Sequence, residues 1–391
     1  MVLLAILAGL ALRVSLFPLL NTDLTTYVLP WLEHVQARGF GALGDPFTDY
    51  APGYTYVLLL LSAFTGLLPN LVLIKLSSVV ADLLMALVGM ALVLQAGGDA
   101  RRALLAGAAL LLLPTVLLNS GAWGQSDSIW AGLMLWALLA LMRRRTALAC
   151  LLWGIALAFK PQAVFLAPVV AGVVLARRAW LAGLLVPLPY LLLAVPPILA
   201  GQRWTSVLGV YAFQAYYPRA LSSSVANLWA WLPEDAGKPL VLGGIALGAV
   251  IGLVIMLGVW RLERRNGLAL LAAAALAFTA LPFVLPKMHD RYFYGGEVLA
   301  LLLCFLRPGL LPAVLAGQVA ALLAYQVMLL RFFEDSWRTP VGGAFNLVAV
   351  VLLAQAWQAV RAMPRKAAGA PAAGHGASWP RPWRERPAGG G

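Results

Sequence analysis

Residues 71–95 read LVLIKLSSVVADLLMALVGMALVLQ, a run whose formal charges are Lys75 and Asp82. A helix needs about 20 consecutive apolar residues to cross the hydrocarbon of a bilayer, so this stretch is long enough to span. Further apolar stretches recur at 2–20, 54–68, 104–118, 128–142, 146–160, 162–176, 179–200, 239–260, 267–285, 296–306, 309–330 and 340–360. The chain is 62% hydrophobic and 11% charged, where a soluble domain carries roughly a quarter charged residues. Because backbone polar groups in lipid must be satisfied internally, the sequence predicts an all-α, polytopic transmembrane bundle of 11–13 helices. It forms one integral membrane unit over 1–360, with a basic, Ala/Gly/Pro-rich, disordered cytoplasmic tail over 361–391. The first stretch carries Arg13 and no small-residue cleavage pattern, and reads as a retained helix.

The net charge of +13 would point to nucleic acid in a soluble protein. Here the arginines cluster in short turns between apolar segments, where they set topology, and no nucleic-acid partner is expected. Arg101-Arg102, Arg143–Arg145, Arg177-Arg178, Arg261/Arg264/Arg265, Arg307 and Arg361/Arg365/Lys366 are placed on the cytoplasmic side. Most of the 15 acids fall in the opposite loops, among them Asp23, Glu33, Asp45, Asp49, Glu234, Asp235, Glu334 and Asp335. For the alternation to hold from the first helix to Arg101, one of 54–68 and 71–95 must fail to cross, and the shorter 54–68 is the better choice. Cys150 and Cys304 lie in apolar runs with no ligand spacing, which argues against a disulfide scaffold or a zinc site.

Four stretches concentrate chemistry in the loops opposite the basic clusters. The long first loop, 21–53, opens with Asn21-Thr22-Asp23 and closes with Asp49-Tyr50-Ala51-Pro52-Gly53-Tyr54. Its middle, Tyr27–Phe40, has the pattern of an interfacial helix. A carboxylate at Asp23 can take a proton from a sugar hydroxyl or bind a divalent metal; it can equally cap a helix. The turn Trp123-Gly124-Gln125-Ser126-Asp127 can stack on and bond to a sugar, or simply anchor an indole at the interface. Lys160 interrupts an apolar stretch, where a charge is costly; it can bind phosphate or snorkel. Lys287-Met288-His289-Asp290-Arg291-Tyr292-Phe293 packs anion-binding cations beside an acid and aromatics. Lys75 and Asp82 share a helix face and either stabilise packing or line a cavity.

Taken in order, these motifs resemble the GT-C superfamily of polyprenyl-phosphate-sugar-dependent glycosyltransferases. Within it they look most like bacterial relatives of the GPI mannosyltransferase II (PIG-V-like) group, over roughly residues 10–300. The resemblance implies a multi-pass enzyme of the cytoplasmic membrane with an extracytoplasmic active site. It would move a hexose, mannose in this group, from a polyprenyl-phosphate donor to a glycolipid, glycan or protein acceptor, with inversion. Asp23 matches the first-loop carboxylate, the catalytic base or a metal-associated group. Lys160, Lys287, His289 and Arg291 become candidates for the donor phosphate. Asp49, Tyr50, Trp123, Gln125, Asp127, Gln162, Asp290 and Tyr292 become candidates for substrate binding. The chain departs from the group in Tyr50-Ala51-Pro52, where Tyr-Pro-Pro is common, and in His289-Asp290-Arg291-Tyr292, where His-Glu-Arg-Tyr is common. It has no tight Asp-x-Asp, which leaves the metal unknown and a magnesium or manganese ion only an option. The competing class is a secondary transporter or lipid flippase, for which the embedded Lys75 and Asp82 give some footing.

Overall fold

The computed structural model describes residues 2–216, 222–223, 225–232, 238–262, 267–329 and 337–363. The expected tail lies outside these residues from 364 onward, as do Glu234, Asp235, Arg264, Arg265, Glu334 and Asp335. The protein is a helical bundle. A two-residue parallel pairing of Ser222–Ser223 with Met288–His289 is the strand structure among the described residues.

The principal helices are α1 (Val2–Leu16), α2 (Leu29–Arg38), α3 (Pro52–Ser62), α4 (Asn70–Gln95), α5 (Ala100–Leu112), α6 (Asp127–Met142), α7 (Thr146–Phe159) and α8 (Ala167–Arg177). They continue with α9 (Trp180–Leu199), α10 (Lys238–Leu262), α11 (Gly267–Val284), α12 (Tyr294–Leu306), α13 (Leu311–Leu329) and α14 (Arg338–Ala362). Among the described residues six helices are long and apolar enough to cross a membrane, and α5 with the segment Pro114–Trp123, bent by 52° against it, makes a seventh if the pair is one span. Six shorter apolar helices of 10–17 residues accompany them. The all-α polytopic bundle read from the sequence is therefore present; where 11–13 helices are expected to cross, six or seven of the described ones are long enough to do so and the other apolar helices are shorter.

The shortness has local causes. Helix α3 ends at Ser62 rather than at 68, so it rises only about 17 Å against a hydrocarbon layer of about 30 Å. Between α7 and α8, Lys160 is extended (φ −148°, ψ 143°) and Pro161 follows. Proline disfavours helical backbone in the residue before it, and this break opens room for polar side chains.

Helix α11 is apolar on every side, and such a helix must be enclosed. Its most hydrophobic window is 94% buried, with Phe278 stacked on Trp130 and edge-on to Phe165. Helices α9 and α10 bury only 17% of theirs and turn Leu181, Leu184, Leu199, Leu242 and Val254 outward, as a lipid-facing surface does.

The embedded charges hold α1 to the bundle. Arg13 Nε donates to Asp82 Oδ2 at 2.9 Å and to Ser120 Oγ at 3.0 Å, and Arg13 Nη1 donates to the Leu111 carbonyl at 2.7 Å. Ser128 Oγ donates to the other Asp82 oxygen and lies 2.8 Å from the Tyr294 hydroxyl. Lys75 Nζ donates to the carbonyls of Leu16, Phe17 and Leu19, at and just beyond the end of α1. Lys75 and Asp82 thus serve packing, each with a different part of α1.

Candidate active site

Two π-helical turns meet where the chain leaves α1. The first, Leu24–Val28, follows Asp23 directly, and the second, Leu118–Trp123, ends at Trp123. Turns of this kind re-aim side chains and recur at functional sites. Asn21 joins them: its Nδ2 donates to the carbonyls of Ala122 and Trp123, and its Oδ1 accepts from the Leu24 N–H. Gly124 then turns the chain with φ +68°, and a Cβ there would sit 3.0 Å from Leu24 Cδ2 and 3.3 Å from Lys75 Cγ. The turn therefore needs glycine, and it aims Trp123 and Gln125 at one carboxylate.

That carboxylate is Asp23. Its Oδ2 accepts from Trp123 Nε1 at 3.0 Å and from Gln125 Nε2 at 3.1 Å, and Arg291 Nη1 lies 3.3 Å away. The Arg291 guanidinium also lies over the Trp123 ring, 4.5 Å from its centroid. A second carboxylate lies deeper. Asp127 accepts from Lys160 Nζ at 2.8 Å, Asn119 Nδ2 at 2.8 Å and Trp130 Nε1 at 3.0 Å. Gln125 links the two groups, since its Oε1 lies 3.4 Å from both Lys160 Nζ and the Tyr50 hydroxyl. Side chains more than a hundred residues apart in sequence thus form one charge-balanced cluster.

The cluster underlies a cavity of about 250 Å³. Of the residues singled out in the sequence, Asp23, Asp49, Tyr50, Gln125, Lys160, Gln162, His289, Asp290, Arg291 and Tyr292 line it. Trp123 and Asp127 lie beneath, each 1% exposed. The indole is thus closed to a sugar ring and instead supports Asp23 and Arg291. Lys287 is not among the lining residues; it sits in the turn after α11 with φ +62°. The cavity also gains Tyr27, Trp31, Tyr211 and Gln214. Tyr27 and Trp31 were visible as aromatics of the first loop. Gln214, whose Nε2 donates to the Asp49 carbonyl at 2.7 Å, carries no signal in the sequence, because only folding brings its segment back over that loop.

Three of the carboxylate oxygens here are not free for a divalent cation. Asp23 Oδ2 and both oxygens of Asp127 already face N–H donors, two of them from the cations Lys160 and Arg291. A third positive centre would meet those cations at close range. Among the described residues no group of three His, Cys, Asp or Glu stands together.

Asp290 differs from the other two acids. It is 4% exposed, and its Oδ2 has no hydrogen-bond partner. Burial pushes its carboxyl up to about 6, with Arg291 pulling it down and Asp23 and Asp127 adding to the rise. The folded protein therefore holds this proton more tightly than the unfolded chain. The stability Asp290 contributes is fully present below the unfolded value of 3.8 and is lost as pH rises through about 6. Asp290→Asn is accordingly expected to raise stability at pH 7.5 by roughly 2–3 kcal/mol, with the gain vanishing near pH 4. Thermal unfolding of both proteins across pH 4–8 checks this, and a gain independent of pH would contradict it.

Residues 68–194 match the ALG6, ALG8 glycosyltransferase family model. The match covers less than half of the chain, from just before α4 into α9. No curated protein matches the sequence. Among solved structures, the fold is similar to that of ArnT from Cupriavidus metallidurans bound to undecaprenyl phosphate, with a TM-score of 0.50 and 16% identity. The alignment covers 92% of this chain and 78% of that one. At this identity the likeness is one of fold alone.

Proposed function

We propose that the protein is a membrane glycosyltransferase that moves a hexose from a polyprenyl-phosphate donor to an acceptor hydroxyl. The observation that carries this reading is Asp23, held by Trp123, Gln125 and Arg291 on the wall of a polar cavity that adjoins an apolar groove. The groove, about 900 Å³, lies between α3, α4, α6 and α7 and is lined by side chains such as Leu60, Phe64, Leu76, Leu84, Leu133 and Trp136. Phe159 lines both spaces. A lipid-linked sugar needs this pairing: an apolar channel for the prenyl chain and cations where the chain ends in phosphate. The partial match to the ALG6, ALG8 family and the ArnT-like fold support the same reaction class.

In the proposed reaction Asp23 accepts the proton of the acceptor hydroxyl through Oδ1, the oxygen left open by its neighbours. The hydroxyl oxygen bonds to the anomeric carbon, and the bond from that carbon to the phosphate oxygen breaks. Polyprenyl phosphate leaves with the electron pair, and Arg291 and Lys160 stabilise its charge. His289 and Lys287 are secondary candidates for this role. One displacement inverts the anomeric centre. Asp49, Tyr50, Gln162, Asp290 and Tyr292 would bind the sugars. Mannose as the hexose follows from the PIG-V-like motif order, with a glycolipid, glycan or protein as acceptor. The site would face outward across the cytoplasmic membrane, since Arg143–Arg145 and Arg177-Arg178 lie at the far ends of α6, α7 and α8.

Transport no longer has the footing that Lys75 and Asp82 gave it, because both hold α1 in place. Incubating the purified protein with radiolabelled polyprenyl-phosphate mannose and bacterial lipid extract is expected to release polyprenyl phosphate and label a new glycoconjugate. An intact donor that merely changes leaflet in proteoliposomes would indicate a flippase instead.

A further inference from the structure

The segment that carries Asp23 also carries a row of aromatic rings. The backbone is helical without a break from Asp23 to Arg38, the π-helical turn Leu24–Val28 running directly into α2. Side chains four residues apart on a helix share a face, so Asp23, Tyr27 and Trp31 stand in line, and all three line the polar cavity. The Trp31 ring lies 5.9 Å from that of Tyr27 and meets Tyr50 edge-on at 5.1 Å. Trp31 is 7% exposed and Tyr27 46%. The row thus begins at an open ring beside the carboxylate, and Trp31 and Tyr50 back it and set its angle.

The cations of the cavity come from other segments. Lys160 Nζ sits over the Tyr50 ring, 5.1 Å from its centroid, and is bonded to Asp127, while Arg291 sits over Trp123. The stretch 23–31 contributes Asp23, Tyr27, Val28 and Trp31 to the lining and no cation. In the reaction proposed above, the cations take the leaving phosphate and the base must touch the attacking hydroxyl. The acceptor therefore stands where Asp23 and its own helix face the cavity, and the surface it meets there is aromatic. A pyranose suits that surface. It offers a face of C–H groups to a ring and keeps its hydroxyls at the rim, within reach of a carboxylate one helical turn away. A peptide is commonly held through main-chain hydrogen bonds or a groove, and this row presents chiefly carbon.

Resting on that reading of the site, we propose that Tyr27 is the acceptor platform: a pyranose of the acceptor stacks on its ring and turns one hydroxyl toward Asp23. Tyrosine also favours the headgroup level of a bilayer with no ligand at all. Phe40 separates the two roles. It is 79% exposed on the same first loop and is not among the residues lining the cavity. Anchoring would make the two residues alike, whereas stacking concerns Tyr27.

The test measures initial rates of the full chain in detergent with radiolabelled polyprenyl-phosphate mannose as donor. The acceptors are a panel of octyl hexosides, the matching free disaccharides, a threonine-rich peptide and dioleoylglycerol. Transfer is expected to be roughly tenfold faster or more on one of the sugars than on the peptide or the diacylglycerol. The hexoside and disaccharide arms distinguish a lipid-borne sugar from a soluble one. For the preferred sugar, Tyr27→Leu should raise the acceptor KM roughly tenfold and leave donor KM and turnover within about threefold. Tyr27→Phe, which keeps the ring, and Phe40→Leu should stay within about twofold of wild type. Donor consumption without the preference for a sugar, or equal acceptor KM in Tyr27→Leu and Phe40→Leu, would overturn the proposal and leave sugar transfer standing. A donor left intact with every acceptor would instead remove the sugar-transfer reading, and this proposal with it. Should Tyr27→Leu not fold, Tyr27→Gln and the wild-type acceptor preference decide.

Discussion

Asp23→Asn is expected to lower the turnover of sugar transfer by about 10²–10⁴-fold, the range a positioned general base supplies, while leaving the donor KM within about threefold. The geometry sets this split. Asn has the shape of Asp and keeps an oxygen for Trp123 Nε1 and Gln125 Nε2, so the turn at Gly124 and the placement of Arg291 should survive. What is lost is the carboxylate oxygen that takes the proton. Donor affinity rests on other groups, the cations Lys160 and Arg291 and the groove that reaches Phe159. A fall in turnover at constant KM is the signature of an interaction made only in the transition state. Initial rates with labelled donor, normalised to folded protein, give the answer. Wild-type activity in the variant would remove Asp23 from the base role, and a raised KM at constant turnover would make it a binding residue.

The architecture was legible because membrane insertion writes itself into local sequence: runs of apolar residues need no partner to be recognised. The helical reading of Tyr27–Phe40 likewise matches α2, which turns Trp31, Leu32 and Val35 inward, with Tyr27 before it and Phe40 after it exposed. The end of α3 at Ser62 was not legible, since the residues beyond it are as apolar as those within. The loop motifs named most residues that line the cavity, because a charge or an amide beside a span is conspicuous. Their relations were not legible. Nothing local tells that Arg291 lies over Trp123, or that Asp127 lies beneath the site while Asp290 lines it. Arg13 shows the same limit. Its charge marked it as unusual, but its partner stands 69 residues away on α4, and only packing reveals which acid a buried cation has found.

Breaking that pair should give the largest loss of stability in the chain. Arg13 and Asp82 are 1% and 0% exposed, with Arg13 Nη2 2.8 Å from Asp82 Oδ2. Removing one partner of a buried ion pair leaves an uncompensated charge and costs about 3–5 kcal/mol. Asp82→Ala is therefore expected to unfold far below the wild type in detergent. It strips Ser128 Oγ of its acceptor and leaves the guanidinium with the Ser120 hydroxyl and the Gly9 and Leu111 carbonyls. Arg13→Met should be comparably damaging. The double variant R13M/D82L places apolar groups at both positions, and such replacements are often nearly neutral. It should recover most of the loss, with a coupling of about 2 kcal/mol or more between the sites. Thermal unfolding of the four proteins measures this cycle. The consequence reaches the candidate site, because Ser128 is bonded to Asp82 and to the Tyr294 hydroxyl and directly follows Asp127. Loosening it frees the start of α6, where Asp127 receives Lys160. Asp82→Ala and R13M/D82L, which both take the Asp82 acceptor from Ser128, should thus lose transfer activity at temperatures where they are still folded, whereas Arg13→Met, which leaves that bond, should lose less. Single variants as stable as wild type, or a double variant no better than the sum of its parts, would show that the pair is incidental to the fold.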